Sequence, residues 1–375
     1  LYEKLTYFGN LNYKIFLNMI ATDLALDISV RRVAQSRLPE IDFNHLPFGR
    51  IMTDHIFVAD YNGKEWTDLR IEPFAKMSIS PANLTLHYGQ TIFEGLKAYK
   101  TDNNEILVFR PDQNAKRMNK SAVRMYMPEI PEEIFLAGLR ELLEIDRNWI
   151  PTTQGSSLYI RPLMFATDEY VGLQPSQTYR FIIMCSPVGA YYNKPVKVKV
   201  ETHFTRAVEG GIGYAKTAGN YAASMLPTQL AIEEGYDQLI WTDGKEHKYV
   251  EEAGSMNLMF VISGKLITAS TGDSILDGIT RKSVIQVAKD MGIEVEERKL
   301  AISELIEAIQ KGTLQEAFGA GTAATIAQII QIGYEGIRYE LPPVETRKIS
   351  NAIYKELEAL KYGRIPDQRG WMMKI

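Results

Sequence analysis

Residues 206–221 read RAVEGGIGYAKTAGNY, and residues 251–257 read EEAGSMN. A single lysine, Lys216, sits among glycines and small side chains, with the phenol of Tyr221 five positions later. Gly210, Gly211, Gly213 and Gly219 permit unusual backbone angles and close approach of a ligand, and Ala215, Thr217 and Ala218 leave room beside the amine. A lysine amine condenses with an aldehyde, a phenol hydrogen-bonds a ring oxygen, and a carboxylate keeps a ring nitrogen protonated. Lys216, Tyr221 and Glu252 are the side chains that a pyridoxal ring requires, which points to amino-group transfer. Of the adjacent acids Glu251 and Glu252, one is expected to be solvated, since carboxylates usually are.

A rival reading starts from the same lysine. Gly210-x-x-x-x-Ala215-Lys216-Thr217 is one residue away from a phosphate-binding P-loop. A P-loop joins a buried strand directly to a helix. The strand-like VKVKV ends at Val200, well before Gly210, and Gly219-Asn220 is expected to interrupt any helix after Lys216. The nucleotide reading is therefore disfavoured.

A pyridoxal cofactor also needs its phosphate anchored. The run from Ile275 to Arg281, ILDGITR, leads into a helical stripe over Thr280–Met291, whose first amides would form an anion site. FGAGTAA, residues 318–324, supplies a second glycine-rich turn before an apolar segment, Thr325 to Ile332. Arg110 and Arg117, in FRPDQNAKRM, offer a cation.

Strand signals lie at 56–59, 106–109, 157–165, 178–187, 196–200, 238–242 and 257–269, the last a hairpin through Ser263-Gly264. Helical stripes cover 132–148, 224–234 with Pro227 in the first turn, 280–291, a segment capped by Ser303, and 345–361. Strands and helices intermingle, so the class is α/β or α+β. The organisation is residues 1–44 as an N-terminal extension, 45–188 as a smaller domain, 189–195 as a loop and 196–375 as a larger domain carrying Lys216. Met19 is read as the natural start, with Leu1–Asn18 upstream of it.

The chain has 375 residues, 45% hydrophobic and 23% charged, as a soluble globular protein does. A net charge of −4 gives no reason to expect nucleic acid or an anionic membrane. Cys185 is the only cysteine and is expected to be buried, which excludes an intramolecular disulfide and suits a reducing compartment. Neither a metal-ligand cluster nor an apolar run long enough to span a bilayer is legible.

Taken together and in order, LPFGRIMTDHIF, LHYGQTIFEGLKAYK, FRPDQNAKRM, SSLYIRPLMFATDEYVG, PVGAYY, GGIGYAKTAGNYAAS, EEAGSMN, ILDGITR and FGAGTAATI resemble the branched-chain amino acid aminotransferases, pyridoxal 5'-phosphate enzymes of the two-domain fold type IV. The likeness runs from about Leu46 to the C-terminus. It implies that Lys216 forms the Schiff base, Tyr221 bonds the ring oxygen and Glu252 pairs with the ring nitrogen. It further implies that Arg117, the amides of Ile279 and Thr280, and Thr322 hold phosphate, that Leu276 packs on the ring, and that Arg206 lies close by. For substrate it implies Phe48, Tyr88, Phe93, Tyr159 and Tyr191 as an apolar pocket, and Arg161 for the far carboxylate of a dicarboxylate. Ser255 and the Ala323 amide are implied for the α-carboxylate.

The reaction so implied is transamination of L-leucine, L-isoleucine and L-valine with 2-oxoglutarate, giving 2-oxo acids and L-glutamate, in a cytoplasmic homodimer. The chain departs from the family pattern in three ways. Tyr214-Ala215 replaces an aromatic directly before the lysine, Ser255 stands where threonine is common, and Ala324 and Ala327 occupy the positions of a redox-sensing cysteine pair.

Overall fold

The computed structural model describes residues 26–189 and 194–375. Met19 and Tyr191 lie outside them. Two sheets organise the chain. The first contains β1 Ser29–Val30, β2 His55–Tyr61, β3 Trp66–Pro73, β4 Thr91–Phe93, β5 Leu96–Lys100, β6 Ile106–Phe109, β7 Ser157–Ala166 and β8 Tyr179–Val188. The second contains β9 Val196–Val200, β10 Gln238–Thr242, β11 Val250–Ala253, β12 Asn257–Ile262, β13 Lys265–Thr268, β14 Val295–Glu297, β15 Leu314–Gly321, β16 Thr325–Tyr334 and β17 Ile337–Glu340. A last strand, β18 Met372–Lys374, returns to pair with β6 of the first sheet.

The first sheet runs β1-β3-β2-β8-β7-β5-β6-β18, with β4 also on β7. Its spine is the antiparallel β7–β8 pair, in register from Ser157 opposite Val188 to Ala166 opposite Tyr179. Helices α1 Leu84–Tyr88, α2 Pro111–Arg124 and α3 Glu132–Ile145 accompany it. Helix α3 turns Phe135, Leu139, Leu142 and Leu143 inward, the one-sided stripe of a packed helix, onto a core that includes Phe57, Phe181 and Ile183.

In the second sheet, β9-β10-β11-β12-β15-β16 close on themselves through the extra β11–β12 pairing. Alternation sets the strand faces. Val196, Val198 and Val200 are buried while Lys197 and Lys199 are partly exposed. The β12–β13 hairpin turns at Ser263 and Gly264, with φ of +50° and +82°, as a two-residue turn demands. Helices α4 Ala218–Glu233, α5 Ile279–Asp290, α6 Ile302–Gln310 and α7 Ile349–Lys361 belong to this half.

Local expectations fail at four places. Gly219 and Asn220 do not interrupt a helix; they form the first turn of α4, because the Asn220 side-chain Nδ2 donates to the carbonyls of Ile212 and Ala215 at 2.9 and 2.8 Å. Pro227 consequently lies inside α4, not in its first turn. Helix α6 starts after Ala301 rather than Ser303, since the Ile302 amide docks on the Lys248 carbonyl at 2.8 Å. The last helix starts at Ile349, after a separate 3-10 turn at Val344–Thr346. Strands β1, β3, β4, β5, β11 and β14 to β18 lie outside the seven strand signals of the sequence.

Cys185 is buried, and burial pushes its thiol well above the ordinary value. Among the described residues no helix is long and apolar enough to cross a membrane, and no group of side chains is arranged to hold a metal.

Gly138 marks a close helix–sheet contact in the first half. A Cβ there would sit 2.5 Å from two carbons of the fully buried Phe57 ring. Overpacking of about 1–3 kcal/mol outweighs the gain of roughly 1 kcal/mol that alanine brings to a helix. Gly138→Ala should therefore lower the denaturant midpoint; an unchanged or raised midpoint would mean that α3 is free to shift away from the sheet.

Candidate active site

The lysine is placed by hydrogen bonds to the first sheet and its helix α2. The Phe93 amide donates to the Lys216 carbonyl at 3.0 Å, and the Lys216 amide donates to Ser121 Oγ of α2 at 2.9 Å. Thr217, extended at the start of α4, bridges to Ile92 and donates its hydroxyl to the Thr91 carbonyl at 2.7 Å. The segment thus acts as a short extra strand beside β4. Its ammonium Nζ donates to Tyr221 Oη at 2.7 Å and lies 4.9 Å from the centre of the Phe93 ring.

Around it opens a cavity of about 420 Å³. Strand β11 brings Glu252 to it. One Glu252 oxygen meets Arg206 at 3.2 Å, and the other accepts from the Leu276 amide at 2.9 Å. Both side chains are more than nine-tenths buried. Burial pushes the Glu252 carboxyl above the usual carboxylate range; Arg206, the Leu276 amide and Lys216 oppose this without overcoming it. Arg206 also donates to the Ser274 carbonyl, while its Nε is buried without a partner. Glu251 is not the solvated member of the pair. It is 8% exposed, bonded by the Ser274 hydroxyl, and burial raises its carboxyl too.

Arg117 reaches the cavity from α2. Its Nε and Nη2 donate to the two oxygens of Glu94 at 2.7 and 2.8 Å, a bidentate pair, and Nη1 reaches the Asp277 carbonyl at 3.3 Å. Burial would raise the Glu94 carboxyl, but the charge and bonds of Arg117, with Lys216 and Asn114, hold it below the usual range. Arg110 points elsewhere, to Ser283 and over the Trp371 ring. Helix α5 begins at the cavity wall after Gly278, with no side chain capping it. A Cβ on Gly278 would fall 2.0 Å from Asn257 Oδ1, so glycine lets the chain pass there. Ile279, Thr280, Leu276 and Thr322 all line the cavity.

On the opposite wall, Arg161 Nη2 donates to Tyr159 Oη at 2.9 Å, and its guanidinium lies 4.6 Å from the Phe93 ring centre. The Arg161 Nε is buried without a partner. Phe48 meets Tyr159 edge-on at 4.9 Å. A Cβ on Gly95 would strike Tyr159 Oη at 2.4 Å, so glycine makes room for this phenol. Ser255 and Ala323 complete the rim.

Fifteen of the seventeen site residues implied by the resemblance line this one cavity, from Phe48 to Ala323. Tyr88 does not: it closes α1, is 40% exposed, and stacks near His87. Sequence reading missed Glu94, which fixes Arg117, and Asn257, which bonds both Glu252 and the Leu276 carbonyl. Acidic spacing alone gave no hint of Glu94; its pairing with an arginine 23 positions away is tertiary.

Lys97 was also missed. It stands opposite Tyr159 in the β5–β7 pair and donates to the Ala323 carbonyl at 2.6 Å. Burial, reinforced by Lys361 and opposed by Glu358, pushes its amine down to about 7.

The sequence family described as Amino-transferase class IV matches residues 91–332. The chain is 46% identical over 347 residues to "Branched-chain-amino-acid aminotransferase 2" of Bacillus subtilis, covering 92% of this chain and 96% of that one. Among solved structures, a branched-chain aminotransferase of Thermoproteus uzoniensis with norvaline superposes with a TM-score of 0.72 at 25% identity, over 85% of this chain and 99% of the other. The T.th. branched-chain amino acid aminotransferase complexed with N-(5'-phosphopyridoxyl)-L-glutamate gives 0.69 at 25% identity, over 86% and 99%.

Lys97 generates a pH test. Its amine binds a proton less tightly in the folded state than in the unfolded chain. Raising pH from about 7 toward the ordinary 10.5 therefore removes a penalty that only the folded state bears. The stability of the parent relative to Lys97→Met should increase across that window in pH-dependent denaturant unfolding. A flat difference would show that Lys97 stays charged when buried.

Proposed function

We propose that this chain, which belongs to the class IV amino-transferases, is a branched-chain-amino-acid aminotransferase with pyridoxal 5'-phosphate as its cofactor. In this reading Lys216 is the cofactor's covalent anchor, and amino groups pass between L-leucine, L-isoleucine or L-valine and 2-oxoglutarate. The observation that carries it is the Lys216–Tyr221 bond of 2.7 Å in one cavity with a buried carboxylate, Glu252.

The donor set fits that cofactor. A buried carboxyl with a raised pKa needs a further cation to hold it ionised, and a protonated ring nitrogen is one. Arg117, the uncapped amides of Ile279 and Thr280, and Thr322 suit a phosphate. Leu276 offers an apolar contact to the ring, and the unpartnered Arg206 Nε leaves a donor near it. When bound, pyridoxal phosphate supplies an aldehyde that takes up the substrate amine and a ring that withdraws electrons from its α-carbon.

The chain's residues do the rest. Lys216, once its amine is neutral, would accept the proton from the substrate α-carbon and deliver it to the carbon on the far side of the amino nitrogen. Tyr221 holds that amine by its phenol. Glu252 keeps a proton on the ring nitrogen, with Arg206 securing its other oxygen. The Ser255 hydroxyl and the Ala323 amide take the substrate carboxylate. Phe48, Phe93 and Tyr159 shelter a branched aliphatic side chain from water, at ~0.8 kcal/mol per buried methylene.

Arg161 addresses the second substrate. Glutamate brings a carboxylate into the aromatic wall, where an unpaired charge is costly. Arg161, with a buried Nε left over and Tyr159 beside it, neutralises that charge by a charge-assisted bond. The same reading treats residues 45–188 and 196–375 as two domains joined by 189–195, with Tyr191 in the pocket.

It also takes the enzyme as a cytoplasmic homodimer. Met225, Leu226 and Leu230 of α4 and Leu86 beside Tyr88 are exposed apolar side chains suited to cover by a second copy, which would give Tyr88 its role.

Lys216→Ala should lose both transfer activity and the visible absorbance of the purified holoenzyme; retention of both would remove the assignment. Arg161→Ala should lower kcat/KM for 2-oxoglutarate at least about tenfold more than for L-leucine, the usual scale of a lost charge-assisted bond. Equal losses in steady-state assays would show that Arg161 serves no particular substrate.

A further inference from the structure

Thr325 opens β16 directly after the Thr322–Ala324 turn, and its φ is +62°. A β-branched residue in the left-handed region is a true outlier, because its Cβ crowds the backbone where glycine sits without penalty. Such strain persists only where the surroundings over-determine it. Here the surroundings are the β15–β16 hairpin, which pairs Thr325 with Gly321, and two side chains of α7. Lys361 Nζ donates to Thr325 Oγ1 and, at 3.3 Å, to Glu358; Thr325 Oγ1 donates to the same Glu358 oxygen at 3.0 Å.

Two corners of this triangle are buried, and Glu358 is about four-fifths covered. Thr325 and Lys361 are each 3% exposed, and the ammonium lies 5.7 and 5.4 Å from the ring centres of Tyr99 and Phe109. Packing does not explain it. A second cavity of about 280 Å³ lies behind the turn, lined by Lys97, Tyr99, Ala323, Thr325 and Glu358 among others. With space rather than side chains at its back, the turn is held by polar pins: Lys97 on the Ala323 carbonyl, Lys361 and Glu358 on Thr325.

We propose that Lys361 and Glu358 are positioning residues for the reaction. By holding Thr325 left-handed, they aim the amides of the Thr322–Ala324 turn into the reaction cavity. The inference rests on the reading of that turn as the seat of the substrate carboxylate.

Thr325→Val and Thr325→Gly both delete the hydroxyl, but only valine keeps the strain that the clamp opposes. Thr325→Val should raise KM for L-leucine about tenfold while kcat stays within about threefold and cofactor absorbance is unchanged. Thr325→Gly should remain within about threefold of the parent in both parameters. Lys361→Met should behave like Thr325→Val, and adding Thr325→Gly to it should bring KM back toward the parent value. An unaltered KM in Thr325→Val, or equal effects of valine and glycine, overturns the proposal. If one of Lys361→Met and Thr325→Val fails to fold, the other decides, each judged against Thr325→Gly.

The half-reaction with 3-methylbutylamine, which is leucine without its carboxylate, separates the two layers. A defect confined to leucine supports the clamp acting on the carboxylate seat. An equal defect with the amine, the valine–glycine contrast persisting, leaves the clamp standing and overturns the carboxylate reading.

Discussion

The site depends on a short backbone splice. Three hydrogen bonds tie Lys216 and Thr217 to Phe93, Ser121 and Thr91 of the first sheet and its helix, although the segment leads into α4 of the second half. Hydrogen bonds of this kind fix direction as well as position. They orient the amine toward Tyr221 and leave the second sheet to supply Glu252 from β11. A reactive amine held on rigid elements keeps its geometry better than one on a free loop.

Electrostatics follow from that arrangement. The cavity wall carries two buried ion pairs, Arg117–Glu94 and Arg206–Glu252. Taking charges out of water is costly, and removing one partner of such a pair costs about 3–5 kcal/mol because the other is left stranded. The two pairs differ in balance. Arg117 clasps Glu94 with two bonds and overcomes its burial, whereas Glu252 keeps a raised carboxyl despite Arg206. A tightly neutralised pair suits structural support. A carboxyl still short of positive charge suits a site meant to receive a cationic ring.

Much of this was legible in the chain because the chemistry of the site is local. Lys216, Tyr221, Glu252 and Ser255 fall in two short motifs, and the alternation of VKVKV or the stripe in α3 follows from periodicity. What sequence missed is tertiary. The glycine and asparagine at 219 and 220 look like helix breakers until Asn220 finds the Ile212 and Ala215 carbonyls. Glu94, Lys97 and Lys361 belong to no local motif, and only folding buries them. Tyr88 differs in another way: its motif is close to the site in sequence, and α1 leaves it on the surface, outside this cavity.

The most direct test is chemical. Borohydride reduction of the purified holoenzyme, followed by peptide mapping and mass analysis, should find a phosphopyridoxyl group fixed on Lys216 and on no other lysine. Modification of a different residue, or none in protein that still transfers amino groups, would contradict the account at its root.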